Sequence, residues 1–453
     1  METIKSKVVI AGGGPSGTFA AIAAARNGAE VLLIEQYGVL GGMSTMGAIN
    51  PWMSFHEKLE GDVLQGRQVI TGIPHEMVLK MIEMGACPGY HDDTIGEAAS
   101  VTPFDPETVK YLWQKMCLDA GVRIMYHTYL IDAETSNGRV TALRGVNKGG
   151  QCRIEGDIFL DCTGDADLAA MAGCPFEIGR AEDGKMMPGT MNFTMANVDF
   201  EKVRVYMVQN PDEFWHNTRF DILAKQEPTG VSGFYTIWNK VKQELETPIL
   251  RDRFLFFKGY RGDQATVNTS RVSGIDSTTA EGMTRGEIEG RCQAMEIAKC
   301  MVKYLPGFEN AYVLSTGAVI GVRESRRISG EYMLNSDDLI AGRSFPDDIM
   351  TNAYTIDMHG ADDDSVYHLD VPPYGVPYRV LLPRNIDNMI VAGRTISATR
   401  EAHGSMRTTP ACMALGQAAG TAAAVAAKSG AGVKDVDISA LRGQLLKDNV
   451  YLL

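Results

Sequence analysis

Not one C-x-x-C pair occurs among the eight cysteines of this 453-residue chain, which speaks against a zinc ribbon and against a redox-active dithiol. Cys87, Cys117, Cys152, Cys162, Cys174, Cys292, Cys300 and Cys412 are scattered, and a scattered set in so long a chain reads as reduced, mostly buried thiols of a cytoplasmic protein. No metal site is expected. No run of 18 apolar residues exists, and the first six residues are too few for a signal peptide ahead of the first strand, so neither a membrane span nor a leader is expected. The most apolar late stretch, "ACMALGQAAGTAAAVAAKSG", is broken by Gly416, Gln417 and Gly420 and reads as a small-residue core helix. Positive charge is in deficit, with 43 Lys and Arg against 56 Asp and Glu and a net charge of −13. This disfavours non-specific nucleic-acid binding and points to small-molecule partners. Repeats and low-complexity tracts are also lacking.

The chain is too long for one core, so about two to three domain-sized units are expected. With 45% hydrophobic and 22% charged residues, its composition is that of an ordinary globular protein.

What is present is concentrated at the start. Residues 7–36 read "KVVIAGGGPSGTFAAIAAARNGAEVLLIEQ". Residues 7–11 predict a short buried strand, 18–27 a helix stopped by Gly28, and "EVLLIE" a second buried strand ending at Glu35. Between strand and helix, Gly12, Gly14 and Gly17 keep the G-x-G-x-x-G spacing of a dinucleotide-binding turn. Gly12 makes the tight bend, Gly14 lets a pyrophosphate approach the backbone, and Gly17 lets helix and strand pack closely. The helix N-terminus offers its unpaired N–H groups to phosphate. Glu35 stands where an acid accepts hydrogen bonds from an adenosine ribose and disfavours a 2′-phosphate, which selects FAD or NAD over NADP.

Further on, "GVLGGMSTMG" supplies a second small-residue loop, while "GDIFLDCTGDADLAAMAG" (156–173) and "NMIVAGRTISA" (388–398) each read as a strand ending in small residues. With these residues the chain resembles the FAD-dependent oxidoreductases of the glutathione-reductase-like flavoprotein superfamily. It is most similar to a bacterial branch, mostly of unassigned substrate, through "DCTGDADLA", "VNTSRVSGIDSTTAEGMTRGEIEGR", "GVRESRRISGEYML" and "VAGRTISATREAHGSMRTTPACMALGQAAG". The resemblance covers most of the chain and is weakest over 176–260.

The resemblance implies an α/β fold: a Rossmann-like FAD-binding domain, with a parallel sheet, helices and a small antiparallel sheet, carrying an inserted α+β substrate domain. The expected divisions are 1–175 and 385–453 for the FAD domain and 176–384 for the substrate domain. It further implies that Gly12, Gly14, Pro15, Ser16, Gly17 and Glu35 contact or border FAD, as do Gly42, Met43, Ser44 and Thr45, then Thr163, Gly164, Asp165, Gly393 and Arg394. Gln36 stands where many relatives carry a basic residue. Asp165 has two readings, a hold on a flavin-side hydroxyl or an N-cap for the helix "ADLAAMAG". No histidine occupies the "GGMST" loop, where some succinate-oxidising relatives carry one.

Coarser features complete the layout. In "FDPETVKYLWQKMCLDAG", Asp105 caps and Gly121 stops a helix over 104–120, and "SNG" and "NKGG" read as hairpin turns. The segment 176–384 is rich in aromatics, among them Trp215, Trp238, Phe254, Phe256 and Phe257. In "TREAHGSMRTTPACMALGQAAG", Thr408 or Thr409 can cap a helix opened by Pro410. Its N-terminus, around Thr409 and Ala411, suits the negative charge of a reduced flavin. Beside it, His403 reads either as an acid–base group or as a structural histidine, and Arg407 as a clamp for a substrate carboxylate or the flavin carbonyl. Arg323, Arg326 and Arg327 read as a solvated face or as ion-pair partners of Glu324 and Glu331 in preference to a substrate clamp, and Arg271 and His359 as weaker candidates again.

These readings lead to an FAD-dependent oxidoreductase, a dehydrogenase, oxidase or reductase that transfers a hydride between flavin N5 and a small organic substrate, with a carboxylate among the candidates. The absence of a second dinucleotide turn and of a cysteine pair disfavours disulfide reduction. A flavin-dependent monooxygenase and a non-catalytic FAD- or NAD-binding protein are the alternatives. Substrate, electron acceptor and any homo-oligomeric state stay open, and no nucleic-acid or membrane partner is expected.

Overall fold

A computed structural model describes residues 2–59 and 66–453. Strand β1, Glu2–Ala11, leads through the glycine turn into helix α1, Pro15–Arg26, and β2, Val31–Ile34. Val8 to Ala11 are fully buried, as befits a parallel strand covered on both faces. β1 is longer than the expected 7–11 because Glu2 to Ser6 pair with Cys152 to Gly156. α1 starts three residues earlier than the sequence predicts, at Pro15, whose fixed φ suits the first turn. It ends as expected, with Asn27 at the C-cap and Gly28 at φ +83°.

Helix α2, Pro106–Asp119, is capped by Asp105, whose carboxylate accepts from the N–H groups of Glu107 and Thr108. Then come β3, Arg123–Met125, β4, Tyr129–Ser136, β5, Arg139–Asn147, and β6, Gly150–Asp161. Both expected hairpins form. Ser136 faces Arg139 across one turn and Asn147 faces Gly150 across the other, and Asn137 and Gly138 take the positive φ values, 50° and 72°, that a two-residue hairpin turn needs.

The antiparallel ribbon is not a separate sheet. The twelve-residue β6 pairs antiparallel with β5 on one edge and parallel with β1 along the other, while strand Met389–Val391 joins the end of β6. One seven-stranded sheet results, in the order β3-β2-β1-β6-β5-β4 with Met389–Val391 beside β6. The strand ends of β1, β6 and Met389–Val391 therefore meet at one edge, where the glycine turn lies.

A second, antiparallel sheet is built from β7, Phe193–Ala196, β8, Gly230–Gly233, β9, Phe254–Lys258, β10, Ala265–Val267, and β11, Tyr312–Thr316, in the order β8-β9-β10-β7-β11. Between β10 and β11 runs the long helix α3, Ala280–Tyr304, capped by Thr279. Phe193, Trp238, Phe254 and Phe256 fill its core, which extends from Met191 to Val322. Trp215 stays outside that core. Leu334, Ile349, Tyr374 and Tyr378 pack with α1 and with α4, Thr409–Ser429, in the core of the first sheet.

α4 is long and apolar enough to cross a membrane by composition, and 89% of that window is buried inside the protein. Its glycines explain the burial. A Cβ on Gly416 would lie 2.1 Å from the Ser16 carbonyl oxygen, and one on Gly420 would lie 2.0 Å from that of Ala20. The backbones of α1 and α4 touch, and the helices run parallel, with Ser16 beside Gly416 and Ala20 beside Gly420. All eight cysteines are free, and all but Cys292 are buried.

Candidate functional site

A cavity of about 840 Å³ opens where the two sheets meet. One end is made of backbone. At φ +94°, Gly12 admits no side chain, since a Cβ would come within 2.4 Å of the Cys162 carbonyl oxygen, and a Cβ on Gly17 would lie 1.8 Å from the Gly12 oxygen. The carboxylate of Glu35 accepts from the N–H of Gly13 at 2.7 Å and of Tyr37 at 2.8 Å. Burial pushes this carboxyl up, and the N–H groups oppose the shift.

Gly12, Gly14, Pro15, Ser16, Glu35 and Gln36 line this end, with Gly42 and Met43 opposite. Gly17, Ser44, Thr45 and Ala411 do not line it. Gly17 serves the packing of α1 on β1. Ser44 accepts from the Trp52 indole at 3.1 Å and Thr45 donates to the Leu40 carbonyl at 2.9 Å, so both hydroxyls hold the 40–45 loop in shape.

Beyond β6, Asp161 is fully buried, and burial pushes its carboxyl up to about 6. It accepts from the N–H and hydroxyl of Thr163 and from the N–H of Ala169, which fixes the small-residue turn. Asp165 does not cap the following helix. That position falls to Ala166 at φ +54°, without a side-chain bond. Asp165 instead pairs with Arg394 at 2.5 Å, and Arg394 also donates to the carbonyls of Gly164 and Val322. Gly393, at φ +111°, leaves room for Ser16, whose Oγ a Cβ would approach to 2.5 Å. Thr163, Gly164, Asp165, Gly393 and Arg394 all line the cavity.

Two helix N-termini face the same space. Gly14 heads α1 and Thr408 heads α4, neither giving its helix a side-chain cap, and Gly14, Thr408 and Thr409 line the cavity. The Thr408 hydroxyl is buried without a partner. Uncapped N–H groups and an orphaned hydroxyl form a donor set suited to an anionic ligand. Together with the side-chain-free turn, these residues fit FAD.

The opposite end is made of side chains. Arg251, Arg271 and Arg323 line it and form no ion pair among the described residues. Arg323 donates to the Pro188 carbonyl at 2.9 Å and to Thr190 Oγ1 at 2.6 Å. Arg271 donates to the Gly360 carbonyl at 2.9 Å, and its Nε is unpartnered. Burial pulls Arg251 down to about 10 and Arg323 to about 9, with neighbouring guanidiniums adding to each shift, and it lowers Arg271 as well. Arg253 lies over the Trp215 ring at 4.3 Å and pairs with Asp252.

Arg407 reaches the cavity and pairs with Asp357 at 2.6 Å. Burial opposes ionisation of Asp357, yet His359, Arg407 and His368 hold its carboxyl well below the usual range. His359 is pulled down to about 3, by burial first. Burial pushes Glu97, also on the cavity wall, up to about 7.

His403 is not brought to the cavity. Its ring is 1% exposed with neither nitrogen hydrogen-bonded, and burial with Arg327, Arg407, Arg394 and Arg400 around it holds it well below its ordinary pKa. The basic cluster read as a solvated face or as ion-pair partners of Glu324 and Glu331 divides. Arg327 pairs with Glu324 at 2.6 Å, as the sequence suggests, but Arg326 pairs with Asp167 and Glu331 with Lys434, while Arg323 turns into the cavity. Sequence reasoning missed Glu97, Arg251, Tyr354, Asp357 and His368 on the wall. A signal existed for two of them, because "IDMH" and "VYHL" each put polar residues into short, otherwise apolar strands.

The fold is similar to that of a geranylgeranyl bacteriochlorophyll reductase-like protein from Thermoplasma acidophilum, at 11% identity over 99% of this chain and 84% of that one, with a TM-score of 0.48. Similar too are p-nitrophenol 4-monooxygenase from Pseudomonas putida, at 11% identity over 99% and 87% with a TM-score of 0.47, and L-proline dehydrogenase from P. horikoshii, at 12% identity over 98% of each chain with a TM-score of 0.45. No curated protein sequence matches. The model of the FAD dependent oxidoreductase family matches residues 7–445, and with that span and the glycine-lined cavity the chain is a member of this family, an enzyme whose cofactor is FAD.

Proposed function

We propose that the enzyme moves a hydride between FAD and a small organic molecule bearing a carboxylate. One observation carries the reading: the three guanidiniums of Arg251, Arg271 and Arg323, which have no carboxylate partner among the described residues, share a cavity with the glycine turn. An uncompensated buried charge is costly, and an anionic substrate would compensate it. Bound FAD supplies a two-electron acceptor or donor.

The chain's own residues then divide the work. The Gly12–Gly17 turn and the head of α1 receive the pyrophosphate, Glu35 and Gln36 border the adenosine, and Thr163 to Asp165 with Gly393 and Arg394 border the rest of the cofactor. The N-terminus of α4, at Thr408 and Thr409, favours negative charge on the ring. Arg271 and Arg323 bind and orient the carboxylate, and Arg407, anchored by Asp357, guards the approach. The division into an FAD domain, 1–175 with 385–453, and a substrate domain, 176–384, belongs to the same proposal, although 334–382 pack with the first core.

Anaerobic titration of the flavin with hydroxy, amino and unsaturated acids, each beside its methyl ester, tests this. Bleaching or reoxidation by an acid and not by its ester is expected. Equal response to acid and ester, or response to none of the panel, overturns it.

A further inference from the structure

We infer that Glu97 exchanges the proton that accompanies hydride transfer and that His368, held between Glu97 and Asp357, relays it. The inference rests on the hydride-transfer reading above. His368 Nε2 lies 3.6 Å from Glu97 Oε1, and its Nδ1 lies 3.7 Å from Asp357 Oδ1, so one imidazole stands between two carboxylates, in ion-pair range of both, with Nδ1 and Asp357 Oδ1 unpartnered by hydrogen bonds among the described residues. The backbone makes this arrangement. Strands β12, Ile356–His359, and β13, Val366–Leu369, pair with Asp357 directly opposite His368, which puts the two side chains on one face of the hairpin.

Glu97 comes from elsewhere in the chain. Its loop is wound around Asp93, whose carboxylate accepts from the N–H groups of Ile95, Glu97 and Ala98 at 2.9 to 3.0 Å. Asp93 is thereby a positioning residue. The Glu97 carboxyl receives no hydrogen bond among the described residues, and Glu97, Asp357 and His368 all line the cavity. Hydrogen bonds of catalytic groups are commonly long before substrate binds.

The groups facing this chain come from several elements. Glu97 faces His368, Asp93, Asp357 and Arg253, and also Arg251, Tyr235 and Tyr354. His368 faces, besides the two carboxylates, Asp370 and the edge of Trp215. Asp357 faces His359 and Arg407, and also Arg271, Arg323 and Tyr354. Arg407, paired with Asp357 at 2.6 Å, helps to keep that carboxylate anionic beside the His368 ring. Burial lifts Glu97 to about 7, where a carboxyl both takes and gives protons at neutral pH.

For a substrate H–C–X–H, with X oxygen or nitrogen, the C–H bond breaks and its hydrogen leaves with the electron pair to FAD. The X–H bond breaks and its proton passes to the Glu97 carboxylate, while the C=X bond forms. Glu97 then protonates His368 Nε2, which returns to neutral by giving a proton to solvent. Reduction of C=X runs the same steps backwards.

The test uses the FAD-loaded protein without substrate first. Carboxyl infrared bands and ring-labelled histidine NMR, followed against pH, should show Glu97 and His368 titrating as a coupled pair in two steps. In Glu97→Gln, His368 should titrate in one step. Glu97→Asp should keep a carboxyl band even where the coupling is lost. Uncoupled titration in the wild type overturns the relay. With 2-hydroxy and 2-amino acids as probes, Glu97→Gln should slow flavin reduction about 10²- to 10⁴-fold, with flavin content retained and the pH limb near neutrality gone. An unchanged rate and limb also overturn it. If no acid reduces the wild-type flavin, the carboxylate reading falls, and the coupled titration still decides the relay.

Discussion

The two ends of the cavity are built on opposite principles. The glycine end consists of backbone from one continuous β1–α1–β2 unit, closed by the heads of two helices, and its specificity lies in the absence of side chains. The arginine end consists of side chains, with Glu97, Arg251, Arg271, Arg323, Asp357 and His368 drawn from separate loops and short strands. A backbone site is rigid because it is the fold, and its residues cannot change without loss of the fold. A side-chain site is held by charge, and its members can be exchanged while the fold stands.

The most severe test of this contrast is Gly17→Ala. Alanine is favoured over glycine inside a helix by about 1 kcal/mol, yet the new Cβ would sit 1.8 Å from the Gly12 oxygen. Overpacking against backbone should therefore cost about 3 kcal/mol or more and release FAD. Thermal unfolding and flavin content check this, and a stable, yellow variant would erase the contrast.

At the other end, Arg323→Met should do the reverse. Removal of a buried, unpaired guanidinium should leave Tm unchanged or raised, while affinity for the best acid of the panel falls by about 1.5 to 3 kcal/mol. A fall in both would mean that Arg323 supports the fold.

His403, buried outside the cavity, sharpens the comparison from a third position. Its folded pKa is depressed, so as pH falls through the unfolded value of about 6.5 the unfolded chain takes up a proton that the native ring refuses. Stability then drops by up to about 1.4 kcal/mol per pH unit for this group. His403→Leu should remove one proton from that slope, measured by denaturant unfolding between pH 7.5 and 5 as flagged by the ordinary histidine range, and should leave flavin reduction unchanged. An undiminished slope would show that the ring is not a buried neutral group.

The smallest effect is expected at Thr408→Val. The hydroxyl makes no bond among the described residues, so the unliganded protein should change by no more than about 0.5 kcal/mol. Flavin binding should weaken by about 0.5 to 1.5 kcal/mol, read as a rise in Kd by fluorescence quenching. Equal flavin affinity would remove Thr408 from the cofactor side.

Legibility in the sequence follows the same division. Gly12, Gly14, Pro15, Ser16 and Glu35 were readable because strand, turn and helix are consecutive and each glycine answers a local steric demand. The helix at 409–429 was readable through Pro410 and its small residues, although what it packs against, α1, was not. Asp165 was misread as a possible cap because an acid before "LAAMAG" satisfies the local pattern, whereas its partner Arg394 lies 229 residues away. His403 was overvalued for a related reason: nearness in sequence to Arg400 and Arg407 says nothing of which way a helical side chain points, and on Arg400–Met406 it points into protein.

By itself, then, the chain's order of residues determined the β1–α1–β2 unit and its side-chain-free glycine turn, since hydrogen-bond and steric rules act over a few residues. Only the tertiary structure decided that β6 joins ribbon and parallel sheet, that α1 and α4 pack backbone against backbone, and that Glu97 stands beside His368 across 271 positions. Such pairings depend on long-range burial and charge, whose partners no local pattern specifies.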